Sequence, residues 1–168
     1  MMLSFKTTVA TILVPGTACI LVPYYILRTS HISLTPIIGL EKIFACLIMA
    51  CGLYMILWVS TAFVRKGQGT PIPINPPTRL IIQGLYRYVR NPMYVGAILV
   101  VLSEIIYFHS GWLVVYAVGL WAALHTALVF FEEPQLRHRF GVEYEQYLRA
   151  VPRWIPKIPA RTISPDQS

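Results

Sequence analysis

Residues 84–96 read GLYRYVRNPMYVG, and the placement of this stretch decides the fold. Before it lies a Pro-rich segment, residues 67–83 (GQGTPIPINPPTRLIIQ), whose four prolines and two glycines exclude a continuous helix. After it comes an apolar run. A motif dense in Tyr and Arg between a broken segment and an apolar run belongs at a membrane surface. Pro92 is a favourable first helical residue, and Asn91 before it is a natural N-cap. The expected helix is 92–108, short for a crossing that takes about 20 residues.

Working outward, His109-Ser110-Gly111 predicts a tight turn, and residues 112–131 a further span that forms an antiparallel hairpin with 92–108. Gly119, Ala123 and Ala127 recur every four residues there, a small-residue stripe expected to let the two helices approach closely. Glu132 and Glu133 end that run. Upstream, residues 7–27 and 39–64 are two more apolar runs, the first interrupted by Pro15 and Pro23 and read as an uncleaved first helix. Beyond Glu133, Leu136, Phe140, Tyr144 and Leu148 fall four apart, which predicts an amphipathic helix over 134–150, on the membrane surface or capping the bundle.

These segments give an all-α, polytopic membrane helix bundle of about four transmembrane helices plus a C-terminal amphipathic helix. It is read as a single membrane domain, 1–159, with a loop over 65–91 and a disordered tail over 160–168. The composition agrees: 56% hydrophobic and 12% charged, against about 25% charged in soluble domains. The net charge of +7 does not point to nucleic acid, because the Lys and Arg sit beside apolar runs. Arg65, Lys66, Arg79, Arg87, Arg90 and the basic residues after residue 133 fall on one side of the four spans. Only Arg28 and Lys42 fall on the other. Both termini, the motif and Glu132-Glu133 are therefore expected on the cytoplasmic face of a multi-pass protein. Cys19, Cys46 and Cys51 form no CxxC pair, so neither a disulfide framework nor a metal site is expected.

The chemistry-bearing residues fall in two clusters. Tyr86, Arg87, Tyr88, Arg90, Asn91, Tyr94 and Gly96 crowd one helix entrance. Free N–H groups at the start of that helix suit an acceptor atom, and Gly96 permits a close backbone approach. Glu132 and Glu133 sit at a helix C-terminus, where acids oppose the macrodipole unless a cationic ligand group or arginines compensate. Two clusters on one membrane face predict a cofactor held at the mouth of the bundle. The competing reading is an interfacial anchor. His125, seven residues before Glu132, is expected on the same face, and an ionisable side chain within a span is a functional candidate. Glu104, also within a span, is either buried or reaches toward the hairpin turn. GxGxxG, P-loop, HExxH and nucleophile-elbow patterns are absent.

GLYRYVRNPMYVG, a helical hairpin, and then EEPQLRHRFGVEYEQYLRAVPRWIP together resemble the isoprenylcysteine carboxyl methyltransferase and phospholipid methyltransferase family over residues 78–156. The resemblance implies S-adenosylmethionine as cofactor and a lipid-like or small hydrophobic acceptor, carboxylate or amine, entering from the bilayer. It also implies cofactor contacts at Thr78, Arg79, Leu80, Ile81, Tyr86, Asn91, Pro92, Met93, Tyr94 and Glu132. Asn91 stands where the family usually carries His. Leu128 stands where the carboxyl methyltransferases carry an Arg that holds the substrate carboxylate, which weakens a prenylcysteine acceptor in particular. An amine acceptor has to lose a proton, and His125 or Glu133 is the candidate catalytic base. Two other readings compete. One is an intramembrane NADPH-dependent reductase, whose family ends in a similar helical hairpin but tends to carry an acid where Gly96 stands. The other is a non-catalytic membrane scaffold.

Overall fold

The computed structural model describes residues 16–30, 39–66, 80 and 82–158. Every regular element among these residues is helical. A π turn, Thr17–Leu21, leads into α1, Val22–Thr29; α2 is Leu40–Lys66. A 3-10 turn, Gly84–Arg87, carries the first half of the motif. Helix α3 is Pro92–Phe108 and α4 is Gly111–Ala127. A second π turn, Leu128–Glu132, joins α4 to α5, Glu133–Ala150. The expected first span begins outside the described residues, and the tail 160–168 lies wholly outside them.

Among the described residues, two stretches are long and apolar enough to cross a membrane, Leu40–Ala62 and the continuous helix that begins at Gly111. Only 22% and 17% of their apolar windows are buried in the protein. Large apolar side chains such as Phe44, Leu47, Leu57, Trp112, Val115 and Phe130 point outward. Core helices of a soluble protein would bury these side chains, whereas a chain solvated by lipid leaves them outside. Helix α3, at 17 residues, is shorter than a standard crossing. Cys46 and Cys51 also face outward, whereas Cys19 is buried.

The most extensive helix contact is between α2 and α3. Its centre is a pair of glycines. A Cβ on Gly96 would lie 2.8 Å from the Gly52 carbonyl oxygen, and one on Gly52 would lie 2.7 Å from the Gly96 oxygen. The expected close approach of α3 and α4 along the Gly119 stripe is not found. Gly119 and Ala123 are exposed, and a Cβ on Gly119 would meet nothing within 4 Å. The small residues that bring backbones together are Gly52 and Gly96, and Gly96 serves a neighbouring helix where the sequence suggested a ligand.

Helix α5 is not one straight rod. Gly141 adopts φ 51, ψ −122, which breaks the helical path and is open only to glycine. Beyond the break, Tyr144, Tyr147 and Val151 form a buried cluster with Leu136, Phe140, Leu148, Leu80 and Ile82. The apolar face of α5 therefore caps the bundle by folding onto the chain just before the motif.

Candidate functional site

The motif and the glutamate pair meet. The Tyr94 hydroxyl, one turn into α3, donates a hydrogen bond to Glu132 Oε1 at the end of the second π turn. Consecutive side chains on a helix diverge, so Glu133 turns elsewhere and is buried. Its Oε1 accepts from Arg90 Nη1 at 3.0 Å and from Arg153 Nε at 2.8 Å. Its Oε2 accepts from Arg153 Nη2 at 2.9 Å. Two arginines thus supply the compensation that a carboxylate at this helix junction requires. The fork of hydrogen bonds to Glu133 raises the Arg153 pKa above its ordinary value.

The residues after α5 form one wall of the site. The Arg90 N–H donates to the Pro152 carbonyl at 3.0 Å, and the Lys157 N–H to the Tyr88 carbonyl at 3.0 Å. The Tyr147 hydroxyl donates to the Tyr86 carbonyl at 2.8 Å. Asn91 occupies the N-cap position of α3, but its side chain makes no capping bond; Nδ2 donates to the Arg153 carbonyl at 3.4 Å. The first N–H groups of α3 are left without a side-chain acceptor from the cap, an arrangement that favours an acceptor atom of a ligand.

The other expected site residues are placed as follows. Pro92 and Met93 are buried, Met93 in a cluster with Val59 against which Ile56, Trp58 and Tyr86 pack. Tyr86 is half-buried there. Burial, and then the Glu132 carboxylate, hold its phenol pKa well above the ordinary value, so it stays a protonated hydroxyl. Leu80 packs against the Tyr144–Tyr147–Val151 cluster. Thr78, Arg79 and Ile81 lie outside the described residues.

His125 does not join Glu132. The π turn Leu128–Glu132 inserts a wider i→i+5 turn between them and breaks the α-helical register that put the two on one face. Instead, Trp154 Nε1 donates to His125 Nδ1 at 3.3 Å, and the imidazole clusters with Trp121 and Trp154 at centroid separations of 5.2 and 6.2 Å, the two indoles lying 6.1 Å from each other. With Nδ1 accepting, the ring proton sits on Nε2. Glu104 is half-buried in α3, one of its oxygens fully enclosed and without a hydrogen-bond partner.

Three contributors escaped notice as site residues: Arg153, Trp154 and Tyr147. The available signal was the run VPRWIP, where two prolines bracket an Arg-Trp pair just beyond a helix. An Arg153→Ala variant removes the fork from a buried carboxylate and leaves Arg90 alone to answer it. It should lose about 1.5–3 kcal/mol of stability, read as a lower thermal midpoint in detergent. Among the described residues, no group of three or more metal-ligating side chains occurs.

Protein-S-isoprenylcysteine O-methyltransferase of Schizosaccharomyces pombe is 32% identical over 105 residues, covering 60% of this chain and 44% of that protein. The chain thus matches less than half the length of this relative. A model of the phospholipid methyltransferase family matches residues 40–143, from the start of α2 to just past the Gly141 break. The match takes in the Gly52–Gly96 contact, the motif and both glutamates, so the chain belongs to the phospholipid methyltransferase family.

Proposed function

We propose that the protein is a membrane methyltransferase that moves a methyl group from S-adenosylmethionine to a lipid-like acceptor. The observation that carries the reading is the Tyr94–Glu132 hydrogen bond. It joins two motifs, 38 residues apart, at the uncapped entrance of α3. We place this entrance, with both chain termini, on the cytoplasmic side of a four-span bundle, on the strength of the basic residues around it.

The donors and acceptors present fit the cofactor. Glu132 and Tyr94 would take its amino or ribose groups; Asn91, the backbone of Pro92 to Tyr94, and Tyr86 would line the rest. The stretch Thr78 to Ile81 would complete the wall. When bound, the cofactor supplies an electrophilic sulfonium methyl. The chain's own work is to hold the reactants in line and to keep water out.

The two candidate bases bear on the acceptor. Both oxygens of Glu133 are occupied by guanidinium groups. His125 Nδ1 accepts from Trp154. Both side chains are engaged in holding neighbouring groups, so we assign them positioning roles and favour an acceptor that arrives already deprotonated. A carboxylate meets that condition; an ammonium headgroup does not. Leu128, buried at 2% exposure, offers no charge to such a carboxylate, so the carboxylate need not be that of a prenylcysteine.

Calorimetry on detergent-purified protein tests the first step. S-adenosylmethionine should bind with micromolar affinity and NADPH should not; the reverse would overturn the reading. Acceptor class follows from transfer of labelled methyl groups to extracted lipids. A methyl ester is released as methanol in mild base, whereas an N-methyl group is retained. Base-stable label would overturn the carboxylate assignment.

A further inference from the structure

Residues 151–157 are stitched to two different elements. On one edge the Pro152 carbonyl takes the Arg90 N–H, the Arg153 carbonyl takes Asn91 Nδ2, and the Lys157 N–H reaches the Tyr88 carbonyl. On the other edge Trp154 donates to His125 on α4. The segment therefore runs as a strap from the motif to α4, across the end of the bundle where Tyr94 meets Glu132. One carboxylate adds a further, charged attachment. Glu133, with its side chain 4% exposed, grips Arg153 with both oxygens and holds Arg90 with one.

Burying an ion cluster is a costly way to attach a loop to a helix, since apolar side chains of similar volume do so without desolvating charge. What the cluster adds is direction. Arg153 fixes the strap through its side chain while its carbonyl orients Asn91, and Arg90 fixes the residue just before the α3 entrance. Glu133 also adjoins Glu132, yet the two carboxylates take different partners.

We propose that Glu133 is a positioning residue for methyl transfer: through Arg90 and Arg153 it sets the 151–157 strap and Asn91 in the geometry that receives the cofactor. The proposal rests on the methyltransferase reading above. It gives Arg153 a part in cofactor binding without contact to the reacting atoms.

The test uses the full chain in detergent with two variants. Glu133→Gln keeps the shape and removes the charge. Arg153→Lys keeps the charge and removes the fork. Three quantities are read: the thermal midpoint, the dissociation constant for S-adenosylmethionine, and the rate at which trypsin cuts the Arg153–Trp154 bond in Glu133→Gln. The expected result is a tenfold or greater loss of cofactor affinity in Glu133→Gln and a severalfold loss in Arg153→Lys, in protein that still melts cooperatively. Tryptic cleavage should be severalfold faster in Glu133→Gln. A lowered midpoint with wild-type cofactor affinity in the folded protein would make Glu133 merely structural and overturn the proposal. Should Glu133→Gln fail to fold, wild-type affinity in Arg153→Lys overturns it equally. If the wild type itself binds no S-adenosylmethionine, the methyltransferase reading falls. Trypsin then decides the strap alone, and equal cleavage rates in wild type and Glu133→Gln overturn it.

Discussion

Replacing Gly96 with valine should disrupt the helix pair that carries the site. Even a single Cβ at this position would lie 2.8 Å from the Gly52 carbonyl oxygen and 3.1 Å from both Ile56 Cγ1 and Met55 Cβ. The first of these neighbours is backbone, so a rotamer change cannot relieve the contact; α2 and α3 would have to separate. Overpacking of a tight contact costs about 1–3 kcal/mol and sometimes more, and two extra methyl groups put Gly96→Val at or above the upper end. Separation also removes the close packing on which helix association in lipid depends, where apolar side chains gain little from leaving the bilayer. The Val59–Met93 contact one turn away would open as well, and with it the packing of Tyr86. We expect Gly96→Val to lose its cooperative thermal transition or to melt far below the wild type, with cofactor binding lost alongside. Gly119→Ala is the matched control. A Cβ there meets nothing within 4 Å, and alanine is favoured over glycine in a helix by about 1 kcal/mol. That variant should melt at or slightly above the wild-type midpoint. If the order of the two variants were reversed, the α2–α3 contact would be misplaced.

This contrast shows what the sequence could and could not reveal. The helical class was legible because apolar runs separated by Pro and basic residues leave few alternatives. Asn91-Pro92 marks the start of α3 by local chemistry alone. Which small residues face a neighbour is a different matter. Gly119, Ala123 and Ala127 have the right spacing for a packed stripe, yet spacing identifies a face without saying what lies opposite. Gly52 and Gly96 sit on separate helices and carry no local periodicity, so their pairing emerges only when α2 and α3 are docked. The His125 expectation failed for a related reason. It assumed 3.6 residues per turn up to Glu132, and the π turn at 128–132 removes that register. The compensation of Glu133 by arginines was legible as a need, from acids at a helix C-terminus. Arg153, 20 residues on, was not legible as one of the partners, because the break at Gly141 and the path of the strap are tertiary facts.

Replacing Glu132 with glutamine should weaken cofactor binding by about 10- to 100-fold. Hydrogen bonds to a charged group are worth about 1.5–3 kcal/mol, and each 1.4 kcal/mol is tenfold in affinity. The substitution keeps the side-chain volume and can still accept from Tyr94, so the fold should persist. What it removes, in the proposed site, is a negative charge that would lie beside the sulfonium and ammonium of S-adenosylmethionine. Tyr94→Phe tests the same contact from the other side. It deletes the donor that fixes Glu132 Oε1 and leaves a half-buried carboxylate short of a partner. The expected loss is about tenfold, near one hydrogen bond to a charged group. The two changes act on one interaction, so their effects should not add: the double variant should bind little worse than Glu132→Gln alone. Additive losses would mean that Tyr94 and Glu132 touch the cofactor independently, and wild-type affinity in both single variants would remove this contact from the site. Calorimetry on the four proteins gives the cycle directly. A coupled pair would tie the aromatic motif and the acidic end of the second π turn to one ligand.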